Sequence, residues 1–204
     1  MSVAPEPIGQ DPVDEDRVRC FLGLPVPDHV RALLEGARAP ALAATPNLTW
    51  TRPDGWHLTL AYLGEVPAGD LDRIREVATE VAATAAPLVA ATSAAGRFGD
   101  HALWIGVDDD PAGAIAALGE RLQVALAAAD LPVNRRAVRA HVTLARGGRG
   151  RRAAVDDATV AAVAPVRVHW EADEVVLWRA VLGDGPARYV PLASVPLGPA
   201  PAAD

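Results

Sequence analysis

The string His-Leu-Thr-Leu-Ala at residues 57–61 returns as His-Val-Thr-Leu-Ala at residues 141–145, 84 positions later (141 − 57). Strict alternation of apolar and polar residues marks a half-buried strand, in which residues i and i+2 share a face roughly 6.5–7 Å apart. Leu58 and Leu60, like Val142 and Leu144, therefore face a core, and His57 with Thr59, like His141 with Thr143, face away from it. Such a repeat constrains the fold strongly. Two strands of the same chemistry imply two similar units, each built around one copy.

The surrounding chain fits that expectation. RVRCFLGL (17–24) reads as a strand, followed by a helix from the candidate N-cap Asp28 towards Ala44 with a break at Pro40. LTWTR and WHLTLAYLG read as strands, the second closed by Gly64. Asp70 caps a helix to about Ala85 with Leu71, Ile74, Val77 and Val81 at helical spacing. After two more strands, LVAATSAAG and HALWIGVDD, Asp110 and Pro111 open a helix to about Ala129, with Ile115, Leu118, Leu122 and Leu126 on one stripe. AHVTLARGG is a strand ending in glycines. A short helix near 155–163 then precedes the strand material of VRVHWEADEVVLWRAVL and RYVPLASVPLG. Each repeated strand falls in its own strand-helix-strand set, and no Gly/Ser linker divides the two sets, so they read as lobes of one domain over 17–198. Residues 199–204 read as a frayed end.

Charge narrows the chemistry of the polar faces. The chain of 204 residues has a formal net charge of −7, and all 19 basic residues are arginine. An anion site must therefore be made from Arg, His or backbone amides. Seven arginines (135, 136, 139, 146, 149, 151, 152) fall in a stretch without Asp or Glu that brackets His141 and Thr143. The rest of the chain is then −14, from 12 Arg against 26 acids. On composition the cluster is a solvated loop or an anion site, and its position favours the second. A single cysteine, Cys20, excludes an internal disulfide or a cysteine-based zinc site and fits a reducing, cytoplasmic setting. Residues 1–16 hold five acids, no basic residue and no apolar core, and read as a disordered acidic tail rather than a secretory signal. The most apolar stretch, 77–95, is interrupted by Glu80 and Pro87 and is no membrane span.

If the two strands lie side by side across a cleft, two imidazoles and two hydroxyls converge. That set suits a phosphate. Threonine hydroxyls donate to non-bridging oxygens, one neutral imidazole takes a proton from water, and the other, protonated, gives one to a leaving oxygen. An ordinary pKa of about 6.5 keeps both forms of histidine within reach of neutrality. One His-x-Thr alone would read as a structural pair, because threonine favours strands. Its repetition, with glycine within three residues of the shared string each time, favours function. A two-histidine metal site is the competing functional reading, but no Asp, Glu or Cys in either string completes a ligand set. His29, His101 and His169 stand alone and read as surface or core residues, and the five tryptophans as core or cleft wall. Phe98, in GRFGDHALW, is a candidate for stacking on a base.

Paired His-x-Thr-x motifs about eighty residues apart, in a chain of about two hundred, resemble the two-histidine (2H) phosphoesterase superfamily. Among its members the RNA 2′,3′-cyclic phosphodiesterases of the 2′-5′ RNA ligase family are the most similar. The likeness runs from RCFLGLPVP through WHLTLAYLGEV, GRFGDHALWIGV and AHVTLARG to VVLWRAVL and RYVPL, about residues 17–195. It implies a bilobal α+β fold, each lobe an antiparallel sheet with outer helices, with the active-site cleft between them. It further implies that His57 donates and His141 accepts a proton, and that Arg146 contacts the substrate phosphate with Thr59 and Thr143. Because alternation alone turns Arg146 away from His141, that role requires a strand end or bulge near Gly147 and Gly148. Ala140 stands where the family often has proline and Ala180 where it often has serine. The implied partners are RNA ends with a 2′,3′-cyclic phosphate, tRNA fragments among them, bound by a monomer without cofactor or metal. Related cyclic phosphates of nucleotides or ADP-ribose, or a non-catalytic RNA-end binding module, are the alternatives.

Overall fold

The chain, seen in a computed structural model that describes residues 16–148 and 153–198, alternates between two antiparallel sheets. Strand β1 (Arg17–Pro25) leads into helix α1 (Asp28–Ala44), short β2 (Thr49–Trp50) and long β3 (His57–Pro67). Helix α2 (Leu71–Ala82), the hairpin β4 (Leu88–Phe98) and β5 (Ala102–Asp110), helix α3 (Ala114–Ala128) and β6 (His141–Arg146) follow. The chain then runs through α4 (Asp157–Ala161), β7 (His169–Ala172), β8 (Glu174–Val181) and β9 (Arg188–Pro196). The sheets have the orders β3-β1-β8-β9 and β2-β6-β5-β4-β7, so the expected α+β, two-sheet architecture is present. The acidic tail up to Glu15, the residues beyond 198 and Arg149, Arg151 and Arg152 lie outside the described residues.

Sequence neighbours do not always share a sheet. β2 precedes β3 in the chain but pairs with β6, Thr49 opposite Arg146 and Trp50 opposite Ala145. The apolar run at 166–182 divides at Asp173 into β7, paired with β4, and β8, paired with β1. Helix α3 crosses the sheets in the same way: it follows β5 but packs on β3. Its stripe of Ile115, Leu118, Leu122 and Leu126 is buried as the spacing predicts. Gly119 within that stripe permits the close approach, because a Cβ there would lie 2.4 Å from Val138 Cγ2 and 3.1 Å from the Leu60 carbonyl oxygen.

Several helix boundaries differ from the sequence reading: Pro27 rather than Asp28 stands at the N-cap of α1, and α2 ends at Ala82 rather than about Ala85, its N-cap Asp70 making no side-chain cap bond. No break occurs at Pro40, and α1 continues to Ala44. Gly36, whose carbonyl would have bonded to the missing N–H, and Pro40 itself are both exposed, so water can take that bond while buried Val30, Leu34, Ala37 and Ala41 keep the inner stripe. Helix α3 begins at Ala114, beyond Asp110 and Pro111, with Gly113 at its N-cap, and the Asp109 carboxylate accepts from the N–H of Gly113 at 2.9 Å and of Ile115 at 2.6 Å. No helix among the described residues is long and apolar enough to cross a membrane.

Candidate active site

Both copies of the repeated string carry the same irregularity. Against β1, Thr59 lies opposite Gly23 and Ala61 opposite Leu22, so Leu60 has no partner. Against β5, Thr143 lies opposite Trp104 and Ala145 opposite Leu103, which leaves Leu144 out. Each is a bulge, two residues opposite one. Consecutive residues then point into the core, Leu60 and Ala61 (both 1 % exposed) in one strand, Leu144 and Ala145 (both 0 %) in the other. The next side chain returns to the face of the histidine and threonine. Arg146 thereby lines one cleft with His141 and Thr143. The irregularity that turns Arg146 to this face is inside the string, at Leu144, rather than at the glycines that follow.

The same displacement brings Tyr62 beside His57 and Thr59. Alternation does not pick out Tyr62, although it occupies the position in its string that Arg146 holds in the other. Thr51 escapes a sequence reading too. Its N–H donates to the Leu144 carbonyl at 2.9 Å and its hydroxyl to the Thr143 carbonyl at 2.7 Å, while that hydroxyl accepts from Trp56 Nε1 at 2.8 Å. Since Trp56 precedes His57, one threonine ties the start of β3 to the bulge of β6. Sequence offers no periodic signal for such a clasp.

The histidines are held alike. His57 Nδ1 lies 2.7 Å from the Gly55 carbonyl oxygen, and His141 Nδ1 lies 2.6 Å from that of Arg139, in each case the residue two before. A carbonyl only accepts, so each Nδ1 carries hydrogen and each Nε2 is the basic nitrogen of the neutral ring. Aromatic side chains fix the ring planes. Phe21 lies 4.3 Å and Tyr189 4.8 Å from His57 between centroids, the latter edge-on. Phe98 stands edge-on to His141 at 4.9 Å, with the Arg139 guanidinium 5.8 Å over its ring. Gly55 makes room for this packing, as a Cβ there would meet Tyr189 Cδ2 at 2.9 Å.

His57, Thr59, Phe98, His141, Thr143 and Arg146 all line a single cleft of about 480 Å³, a volume within the range of small-molecule sites. Burial of its ring lowers His57 from 6.5 to about 4, with the charges of His141 and Arg146 adding to the effect against the Gly55 carbonyl. His141 is also lowered, by burial first and then by Arg146 and Arg139, against the Arg139 carbonyl. Both rings are therefore neutral at pH 7 in the protein alone, beside guanidinium groups that can receive an anion. Among the described residues no three His, Cys, Asp or Glu side chains form a group fit for a metal ion.

The model of the 2′-5′ RNA ligase superfamily matches residues 26–184. The chain belongs to that superfamily. It is a 2H phosphoesterase by family. A curated member, the RNA 2′,3′-cyclic phosphodiesterase of Geobacillus stearothermophilus, is 28% identical over 189 residues, 91% of this chain and 59% of the relative. The chain thus spans less than two thirds of that relative's length. The crystal structure of E. coli LigT in its apo form shares the fold at a TM-score of 0.68 and 22% identity, covering 90% of this chain and 99% of LigT. A Thermus thermophilus protein does so at 0.70 and 23%, covering 88% of this chain and 97% of its own. The departures from the 2H pattern lie off the cleft. The Ala140 carbonyl accepts from Val107 N–H at 3.0 Å, and Ala180 packs against the cluster of Phe21, Val176 and Trp178.

Proposed function

We propose that this 2H phosphoesterase opens a terminal RNA 2′,3′-cyclic phosphate to a 2′-phosphomonoester without a metal, with residues 17–198 as one bilobal catalytic unit. The observation that carries the reading is the pair of like-held imidazoles, each with Nδ1–H on a carbonyl and Nε2 left for chemistry, in one cleft with two threonines and Arg146. Two imidazoles suffice for both proton transfers. His141 Nε2 takes a proton from water, the oxygen attacks phosphorus in line, and the P–O3′ bond breaks as His57 Nε2–H protonates the leaving 3′ oxygen. Thr59, Thr143 and Arg146 hold the equatorial oxygens as charge develops on them. Phe98 offers a face for the terminal base, and its edge contact with His141 orients that ring. The name of the Geobacillus relative supports the same class of reaction. A cytoplasmic monomer acting on RNA ends, tRNA fragments among them, completes the reading.

The test is a product assay in EDTA on short oligonucleotides ending in a 2′,3′-cyclic phosphate, beside mononucleotide and ADP-ribose cyclic phosphates. A 2′-phosphate product from the oligonucleotide is expected. A 3′-phosphate product, or activity that returns only with added divalent metal, overturns the mechanism. Binding without turnover makes the chain an RNA-end binding module, and turnover of the ADP-ribose compound alone changes the substrate.

A further inference from the structure

The segment between α3 and β6, residues 131–140, carries Arg135, Arg136 and Arg139 and supplies one wall of the cleft. It is pinned along its length. Leu131 is buried, and Asn134 N–H donates to the Tyr62 carbonyl at 2.8 Å, a single bridge onto β3. Gln123 of α3, 6 % exposed, makes the main attachment. Its Nε2 donates to the carbonyls of Leu60 at 2.9 Å and Arg136 at 3.0 Å, and its Oε1 accepts from Arg136 N–H at 3.0 Å. A buried amide is tolerated only when its hydrogen bonds are made. Here those bonds fix the backbone of one arginine against the bulged residue of a candidate catalytic strand.

Charge explains why that arginine needs fixing. Every arginine from Arg19 to Arg97, and Arg167, holds a carboxylate, whereas Arg17, Arg121, Arg135, Arg179 and Arg188, which do not line the cleft, hold none among the described residues. Arg136, Arg139 and Arg146 line the cleft and hold none among the described residues. Glu120, the nearby carboxylate, lines an adjoining groove with Arg135 and Arg136 and not the cleft. A cyclic phosphodiester carries one negative charge, which Arg146 and protonated His57 already meet in the proposed reaction. Two further guanidinium groups exceed its needs. Each additional nucleotide brings one more phosphodiester, and contacts to such groups set position and affinity rather than sequence.

We propose that Arg136 and Arg139, on the segment that Gln123 pins to β3, form a second phosphate subsite for the phosphodiester 5′ to the terminal cyclic phosphate, so that the cleft selects oligonucleotides over mononucleotides. The subsite rests on the phosphodiesterase reading above. Gln123 is a positioning residue in it.

Hydrolysis of a 2′,3′-cyclic mononucleotide and of a dinucleotide with the same cyclic end, measured side by side on the full chain, tests the proposal. Arg136→Gln should lose about tenfold in kcat/KM on the dinucleotide beyond its loss on the mononucleotide. It should also flatten the slope of log KM against log salt by about 0.7, the value for one phosphate contact on a single strand. Gln123→Met should show the same selective loss, and the double variant little more, because both act on one contact. Equal losses on the two substrates, or an unchanged salt slope, overturn the subsite. If Gln123→Met does not fold, exposed Arg136 still decides. If the wild type hydrolyses neither substrate, the phosphodiesterase reading falls. Calorimetry with 3′-phosphorylated mono- and dinucleotides then tests the subsite alone: a dinucleotide preference lost in Arg136→Gln upholds it, and no preference, or one that the variant keeps, overturns it.

Discussion

Raising the pH should separate kcat/KM from kcat, because the two parameters report the free protein and its complex. With His57 lowered to about 4, about one free molecule in 10³ carries its proton at pH 7. At about 1.4 kcal/mol per pKa unit, that proton costs about 4 kcal/mol. A phosphodiester anion about 4 Å from the ring returns a similar amount, about 4 kcal/mol at an effective dielectric constant of about 20. On the proposed mechanism the substrate therefore restores the acid that the free protein lacks. Since both histidines lie below 6.5, the alkaline limb of kcat/KM should fall below 6.5, and that of kcat should lie at least about one pH unit higher. Each limb belongs to the coupled pair rather than to one ring. The assay is the initial rate of hydrolysis of a 2′,3′-cyclic nucleotide over about pH 4–9 at constant ionic strength. Alkaline limbs that superimpose, or a kcat/KM limb above 6.5, would refute the claim that burial and Arg146 set the histidines.

Stability should follow the same groups. His57 is lowered in the folded chain, so the unfolded chain binds the extra proton: stability is complete above 6.5 and is lost as pH falls towards 4, and inorganic phosphate should restore part of the lost Tm. His57→Ala and His141→Ala should each lower kcat by about 10²- to 10⁴-fold. A substrate with a good 3′ leaving group should rescue only the His57 variant, and rescue of the His141 variant instead would reverse the roles. Gly23→Ala should cost about 1–3 kcal/mol in denaturant unfolding, because its Cβ would meet the Leu58 carbonyl oxygen at 2.7 Å between paired strands. A variant with wild-type stability would show that β1 and β3 can separate there.

The fold and the candidate site are legible in the sequence to different depths. Alternation along HLTLA and HVTLA assigns the core and cleft faces of Leu58, Leu60, Val142 and Leu144, which are buried as expected. Periodicity describes one strand at a time, however, whereas a bulge is a relation between two. The register that excludes Leu60 and Leu144 is therefore invisible to it, and with it the place of Tyr62. Arg146 is reached through the family resemblance. Gln123 is a polar residue in a helix read for its apolar stripe, and its meaning depends on the Leu60 and Arg136 backbones that only the folded chain brings to it. Residue type alone misjudges Pro40, because the cost of a proline depends on whether the orphaned carbonyl faces water.

The crossing of the chain between sheets bears on how the molecule can come into being. The first sheet takes β1, then β3, then β8 and β9, and the second takes β2 and β4–β7. Any single cut between β1 and β9 divides the first sheet, whereas a cut after β7 leaves the second whole. Cys20 must wait for Arg179, 159 positions later (179 − 20), before β1 gains its second neighbour. During synthesis the first sheet therefore stays open until the last strands emerge, and contacts of such long sequence separation make folding slow. The two histidines sit on strands from different sheets, so either sheet on its own carries only half of the cleft, and a prematurely ended chain should yield no partial activity.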